Sequence, residues 1–257
     1  MEQVLGWLVA AYESSPLLFW IAGSIGFYAL ATNLRWWLRP SPFWRAPYSR
    51  WLVEGGRFFY YVGIPYLALG GWPRQPFQGL VSPEDLGLIV PGPRWPPARW
   101  LEAAGTGLAL GSLVLVVLGL AWAGANRRRA GGGLHFTPRP GWRLLVEGLY
   151  LEVHWAFYRG AMGTILGDLY AGIFWGLGLV YVAWGTNPAW RDHWRRPERA
   201  AGQWLRAGLL LLSTLIFFLT QNLWVCLGVH WLVSGLFRLA ARTIDLQQVD
   251  RDGLREG

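Results

Sequence analysis

Residues 147–160 read EGLYLEVHWAFYRG, which sets two carboxylates, an imidazole and a guanidinium in a stretch otherwise apolar enough for a bilayer interior. An ionised side chain at the centre of a membrane helix costs roughly 2.5–3.5 kcal/mol on insertion scales, so such groups persist where they face protein or water. At about 100° per residue, Glu152, Trp155 and Arg159 fall on one stripe of a helix, while Glu147, His154 and Tyr158 fall on another. One stripe or the other must be covered by neighbouring helices, and the rest of the chain has to supply them.

It has the composition to do so. Of 257 residues 53% are hydrophobic and 15% charged, 19 are Trp, and the mean hydropathy is +0.26, which excludes an ordinary soluble domain. All 23 basic residues are arginines, the net charge is +8, and the arginines cluster between apolar runs. That placement points to orientation in a bilayer and to a lipid environment, and no nucleic-acid partner is expected. Cys226 is the single cysteine, so no internal disulfide can form.

Working outward, apolar runs occupy residues 17–30, 58–71, 100–124, the opening stretch, and 165–184. A sixth, 205–237, exceeds the ~20 residues that span a membrane, and it holds Thr220-Gln221-Asn222 in its middle, so it divides in two. The sequence therefore predicts an all-α polytopic membrane protein of about seven transmembrane helices. One helical domain covers residues 1–242, with a polar cytoplasmic tail at 243–257. The first run has neither a basic start nor a small-residue cleavage site, so it is expected to be a membrane helix and not a leader. Placing the N-terminus outside and the C-terminus inside puts Arg35, Arg39, Arg45, Arg50, the 127–129 arginines and those from Arg191 to Arg206 on the cytoplasmic side. The expected location is the inner membrane of a bacterium. A proline-rich loop at 72–99 encloses SPEDLGLIVPG, residues 82–92, and is expected to be structured.

The chemistry-bearing residues within these spans are Glu152, His154, Arg159, Asp168, Gln221, Asn222, His230 and Ser234. There is no HExxH, CxxC, G-x-S-x-G or phosphate loop, so no metal-binding or cofactor-binding residue is assigned, and the identity of any cofactor stays open. Each group also has a structural reading: a buried Glu152–Arg159 ion pair, histidines donating to carbonyls of neighbouring helices, and Asp168 as a helix cap.

Taken together, residues 82–92 before a Gly/Leu-rich span, a later helix ending in aromatic-aromatic-Arg-Gly, and QNLW followed by VHWLVS resemble the CPBP family of intramembrane proteases. These are the CAAX prenyl proteases and bacteriocin-processing proteins, and the resemblance covers about residues 82–237. It implies a helical bundle open to the membrane, in which a glutamate activates water while histidines and a polar side chain hold the water and the oxyanion. The family's motifs are Glu-Glu-x-x-x-Arg, Phe-x-x-x-His and His-x-x-x-Asn. Here Phe157, Tyr158, Arg159 and Gly160 fit the end of the first, but His154 and Trp155 stand where its glutamates belong, and Glu152 lies two residues early. His230 with Ser234 fits the third. Where the second is expected, residues 181–184 read YVAW with no histidine.

The resemblance therefore implies a vestigial catalytic set, Glu152, His154, Arg159, His230 and Ser234. The expected function is a pseudoenzyme: a protease-like protein that no longer cleaves and serves as a partner-binding accessory or assembly subunit of a larger membrane complex. An active endopeptidase using Glu152, His154 and His230 is the alternative, either through a helix irregularity that turns Glu152 to the site or with His154 as base. A transporter using Asp168 and Glu152 is a third, weaker reading.

Overall fold

The computed structural model describes residues 12–71, 80–83, 85–88, 95–127, 140–195 and 201–253, with side chains for all of these except 45, 125–127, 201 and 241–253. Arg74, Arg94, Arg128, Arg129, Arg139, Arg196 and Arg199, the glycine run 131–133 and part of the 72–99 loop lie outside the described residues. Within them the chain is helical and holds no strand: α1 Pro16–Trp37, α2 Tyr48–Phe58, α3 Ile64–Leu69, α4 Pro97–Arg127, α5 Gly141–Leu166, α6 Leu169–Thr186, α7 Pro188–Arg195, α8 Ala201–Thr220 and α9 Leu223–Gly253. A 3₁₀ turn, Pro42–Arg45, precedes α2.

Among the described residues, five helices are long and apolar enough to cross a membrane: Pro16–Trp37, Pro97–Gly124, Leu169–Thr186, Gly202–Thr220 and Leu223–Ala240. The chain is thus an all-α protein with the helices of a membrane protein. Two more of the expected runs are helical without meeting that measure. The opening stretch lies inside α5, whose charged residues lower its hydropathy. The 58–71 run begins in α2 and continues through a π-helical turn, Phe59–Gly63, into α3. Pro65 accounts for the turn. It has no N–H for the carbonyl four residues back, and its ring crowds that carbonyl, so an extra residue in the preceding turn relieves the conflict.

The helix boundaries follow local signals. Pro16 opens α1 at a position where the missing N–H is harmless. Asp168 caps α6, its Oδ1 accepting from the N–H groups of Tyr170 at 2.8 Å and Ala171 at 3.3 Å. Asn187 caps α7 through Oδ1, which accepts from Ala189 N–H at 2.9 Å, while its Nδ2 donates to the Tyr28 hydroxyl at 2.9 Å. The long apolar run breaks where expected. Gln221 adopts φ 51°, a left-handed conformation unusual for a residue with a side chain, and Asn222 Oδ1 then accepts from Trp224 N–H at 3.0 Å and Val225 N–H at 3.2 Å to start α9.

The contacts group the chain into two compact units, Met1–Ile89 with Tyr150–Asp192, and Val90–Leu149 with His193–Gly257. In the first, α1 packs on α6 and α3, and Asn33 Nδ2 donates to the Thr186 carbonyl at 3.0 Å. In the second, α4, α8 and α9 pack against one another, with Gly107 and Gly111 of α4 set against Val225, Val229 and Val233 of α9. The tail at 243–253 continues α9 as helix.

Candidate functional site

Three of the five site residues predicted from sequence lie in the first unit and are buried: Glu152 is 1% exposed, His154 2% and Arg159 2%. Helix α5 is regular α-helix through all three, so no irregularity between 152 and 159 turns Glu152 to a different face. Arg159 Nη2 instead reaches back along the helix to within 3.9 Å of Glu152 Oε2. In so dry a setting the two opposite charges offset part of each other's desolvation cost.

The backbone of α6 presses on this same part of α5. A Cβ built on Gly176 would stand 2.9 Å from Arg159 N and 3.0 Å from its Cα, and one on Gly172 would overlap Gly163. The G-x-x-x-G at 172–176 therefore lets the two backbones touch, as small residues do in membrane helix pairs. Opposite this crossing, Gly160 meets Leu86 and Val81, and a tight turn is held there by Ser82, whose Oγ accepts from Asp85 N–H at 3.0 Å.

His154 sits in an aromatic box. Its ring centroid is 4.2 Å from that of Tyr60, 4.6 Å from Tyr158, 5.5 Å from Tyr61 and 6.1 Å from Phe157. A ring nitrogen meets the Tyr60 backbone, the expected contact with a neighbouring helix, at a geometry short of an ideal hydrogen bond. Tyr158 hydroxyl is 3.1 Å from Ser24 Oγ and also bonds to Tyr60. Tyr60 and Tyr61, which reach His154 of α5, lie within the π turn, whose wider winding spaces its side chains differently from those of a regular helix. The tyrosines and Ser24 escape a motif search because ordinary span residues carry them. The usable signals were Pro65, inside an apolar run, and the G-x-x-x-G.

His230 and Ser234 lie in the second unit, one turn apart on α9, 5% and 3% exposed. A Cβ on Gly148 would stand 3.5 Å from His230 Cδ2 and 2.6 Å from Trp231 Nε1, so the glycine admits α9 onto the first turns of α5. Trp231 Nε1 donates to the Leu145 carbonyl at 3.0 Å, and Arg238 Nη2 lies 4.0 Å from Glu147 Oε2. Asp168 is occupied as a cap, and Asn222 likewise. Among the described residues no three His, Cys, Asp or Glu side chains converge as a metal site requires.

No protein-family model, curated protein sequence or solved structure matches this chain.

Proposed function

We propose that this protein is a CPBP-like, seven-span protein of a bacterial inner membrane, N-terminus outside and C-terminus inside, that has lost peptide hydrolysis and acts as a partner-binding accessory or assembly subunit. The observation that carries the reading is the Glu152–Arg159 pair, 3.9 Å apart and shut from water. A carboxylate that activates water must present a free oxygen to that water. Here the nearest carboxylate to the family's missing glutamates is directed at a guanidinium. The expected result is that purified protein in lipid cleaves neither a prenylated peptide nor a transmembrane peptide, and that a second membrane protein co-purifies from native membranes in mild detergent. Isolation as a lone chain across all detergent conditions speaks against the subunit role.

One observation favours the active alternative: the His154 imidazole is buried with at least one ring nitrogen not engaged in a hydrogen bond. Under that reading Glu152→Gln and His230→Ala each abolish cleavage, and His154→Gln does the same.

A further inference from the structure

One face of α2, formed by Trp51, Glu54, Gly55 and Phe58, is exposed on the protein, and ring contacts fix its depth in a bilayer. Phe27 and Tyr28 stand at the middle of α1, a helix long and apolar enough to cross a membrane. They meet Phe59 and Tyr60 with ring centroids 5.4 Å and 4.9 Å apart. Residues 59 and 60 therefore lie near the bilayer midplane, and the chain is helical from Tyr48 without a break into the π turn. At ~1.5 Å per residue, Arg57 stands at most about 5 Å from that level and Glu54 at most about 9 Å, because a tilt of the helix only shortens the distance. Both fall inside a hydrocarbon core whose half-thickness is ~15 Å. Trp51 and Arg50 fall at about 12–15 Å, the boundary at which tryptophan and arginine anchor a span.

Glu54 pairs with Arg57, Oε1 to Nη1 3.4 Å, yet 51% of its side chain stays exposed against 34% for the arginine. Its other oxygen, Oε2, has no partner among the described residues. Hydrocarbon supplies no donor, and a glutamate at this depth is too short to reach the headgroups. The space beside it is shaped for a helix. A Cβ on Gly55 or Gly56 meets nothing within 4 Å, and Trp51 and Phe58, 81% and 53% exposed, bound the notch on either side. Small residues so placed let a second helix bring its backbone close. We propose that this face docks a transmembrane helix of a different protein, which seats on Gly55 and sets a basic side chain against Glu54 Oε2. Opposite charge and a donor are what an incompletely paired carboxylate in hydrocarbon lacks. A second copy is the wrong partner. Copies of one orientation are related by an axis along the membrane normal, which sets Glu54 against Glu54 at one depth. The inference rests on the subunit reading above and names the surface through which it acts.

The test is photocrosslinking of the full chain in native membranes, with p-benzoylphenylalanine in place of Phe58, an exposed side chain near the midplane within reach of lipid or another membrane segment. The expected product is an adduct with a transmembrane segment of another protein that carries Arg, Lys or His within about one helical turn of the attachment point. Glu54→Gln is expected to lower its yield about tenfold, since a charge pair between the helices loses one partner. Gly55→Leu fills the notch from a position that is open in the free chain, so it is expected to lower the yield as much at an unchanged melting temperature. Adducts with lipid alone, adducts with a second copy, a partner segment without a basic residue, or a yield that either variant leaves unchanged overturns the proposal. If a membrane protein co-purifies with wild type while position 58 gives no adduct with it, this face is overturned and the subunit role stands. Absence of both a co-purifying protein and a protein adduct overturns the two together.

Discussion

Arg159 and Glu152 hold each other across two turns of one helix, Nη2 to Oε2 3.9 Å, with both side chains almost wholly excluded from solvent. A pair so placed is costly to break and cheap to replace. Arg159→Met and Glu152→Leu are each expected to destabilise the protein by about 3–5 kcal/mol, because each takes an opposite charge away from an ion that stays buried. The double variant Arg159→Met/Glu152→Leu is expected to recover most of that loss, since apolar residues of similar size fill the space without ions. Thermal unfolding in a fixed detergent, set out as a double-mutant cycle, reads the coupling directly. Additive losses would mean that the two charges do not depend on one another.

The crossing of α6 over α5 makes a prediction with its own control on the same helix. Gly176→Ala drives a methyl group to 2.9 Å from the backbone nitrogen of Arg159, which cannot move away as a side-chain tip can. The expected loss is about 1–3 kcal/mol, the usual penalty for overpacking. Gly178→Ala, where nothing stands within 4 Å of the new Cβ, gains helix propensity and is expected to be neutral or slightly stabilising. Comparable melting temperatures for the two variants would remove Gly176 from the contact.

His154 offers a test that separates structure from function. A buried imidazole whose nitrogens are poorly satisfied is a liability, and replacing it with phenylalanine fills the same aromatic box with nothing to satisfy. His154→Phe is expected to raise stability by about 1–3 kcal/mol, the desolvation cost that an unpaired polar group carries. If a partner membrane protein co-purifies with wild type, retention of that partner by His154→Phe makes the residue a relic. Its loss in a better-folded protein makes His154 a contact that function maintains against stability.

Much of the helical pattern was legible because hydropathy and boundary chemistry agree. The Asp168 cap, the break at residues 220–222 and the charge pair of α5 each follow from short-range features of the chain. The start of the second run was less legible. Arg50, Glu54 and Arg57 dilute its hydropathy, yet α2 begins at Tyr48, because Arg57 Nη1 pairs with Glu54 Oε1 at 3.4 Å one turn away and the exposed face tolerates both. The setting of His154 was not legible. It depends on Tyr60 and Tyr61 reaching it from a π turn far off in the sequence, and no local period in the sequence records where a turn five residues wide will aim the side chains within it.

The break between α8 and α9 carries the last prediction, because two adjacent residues there oppose each other. Gln221 holds φ 51°, which costs a residue with a Cβ roughly 1–2 kcal/mol. Asn222 offsets that strain by capping α9 with two backbone N–H groups, worth about 0.5–2 kcal/mol against alanine. Gln221→Gly is therefore expected to raise the melting temperature and Asn222→Ala to lower it. In the double variant the two shifts should largely cancel. A Gln221→Gly protein that melts lower than wild type would mean that the glutamine side chain makes a contribution larger than the strain it imposes. The left-handed turn would then be a feature that the side chain stabilises, and not one that α9 imposes on it.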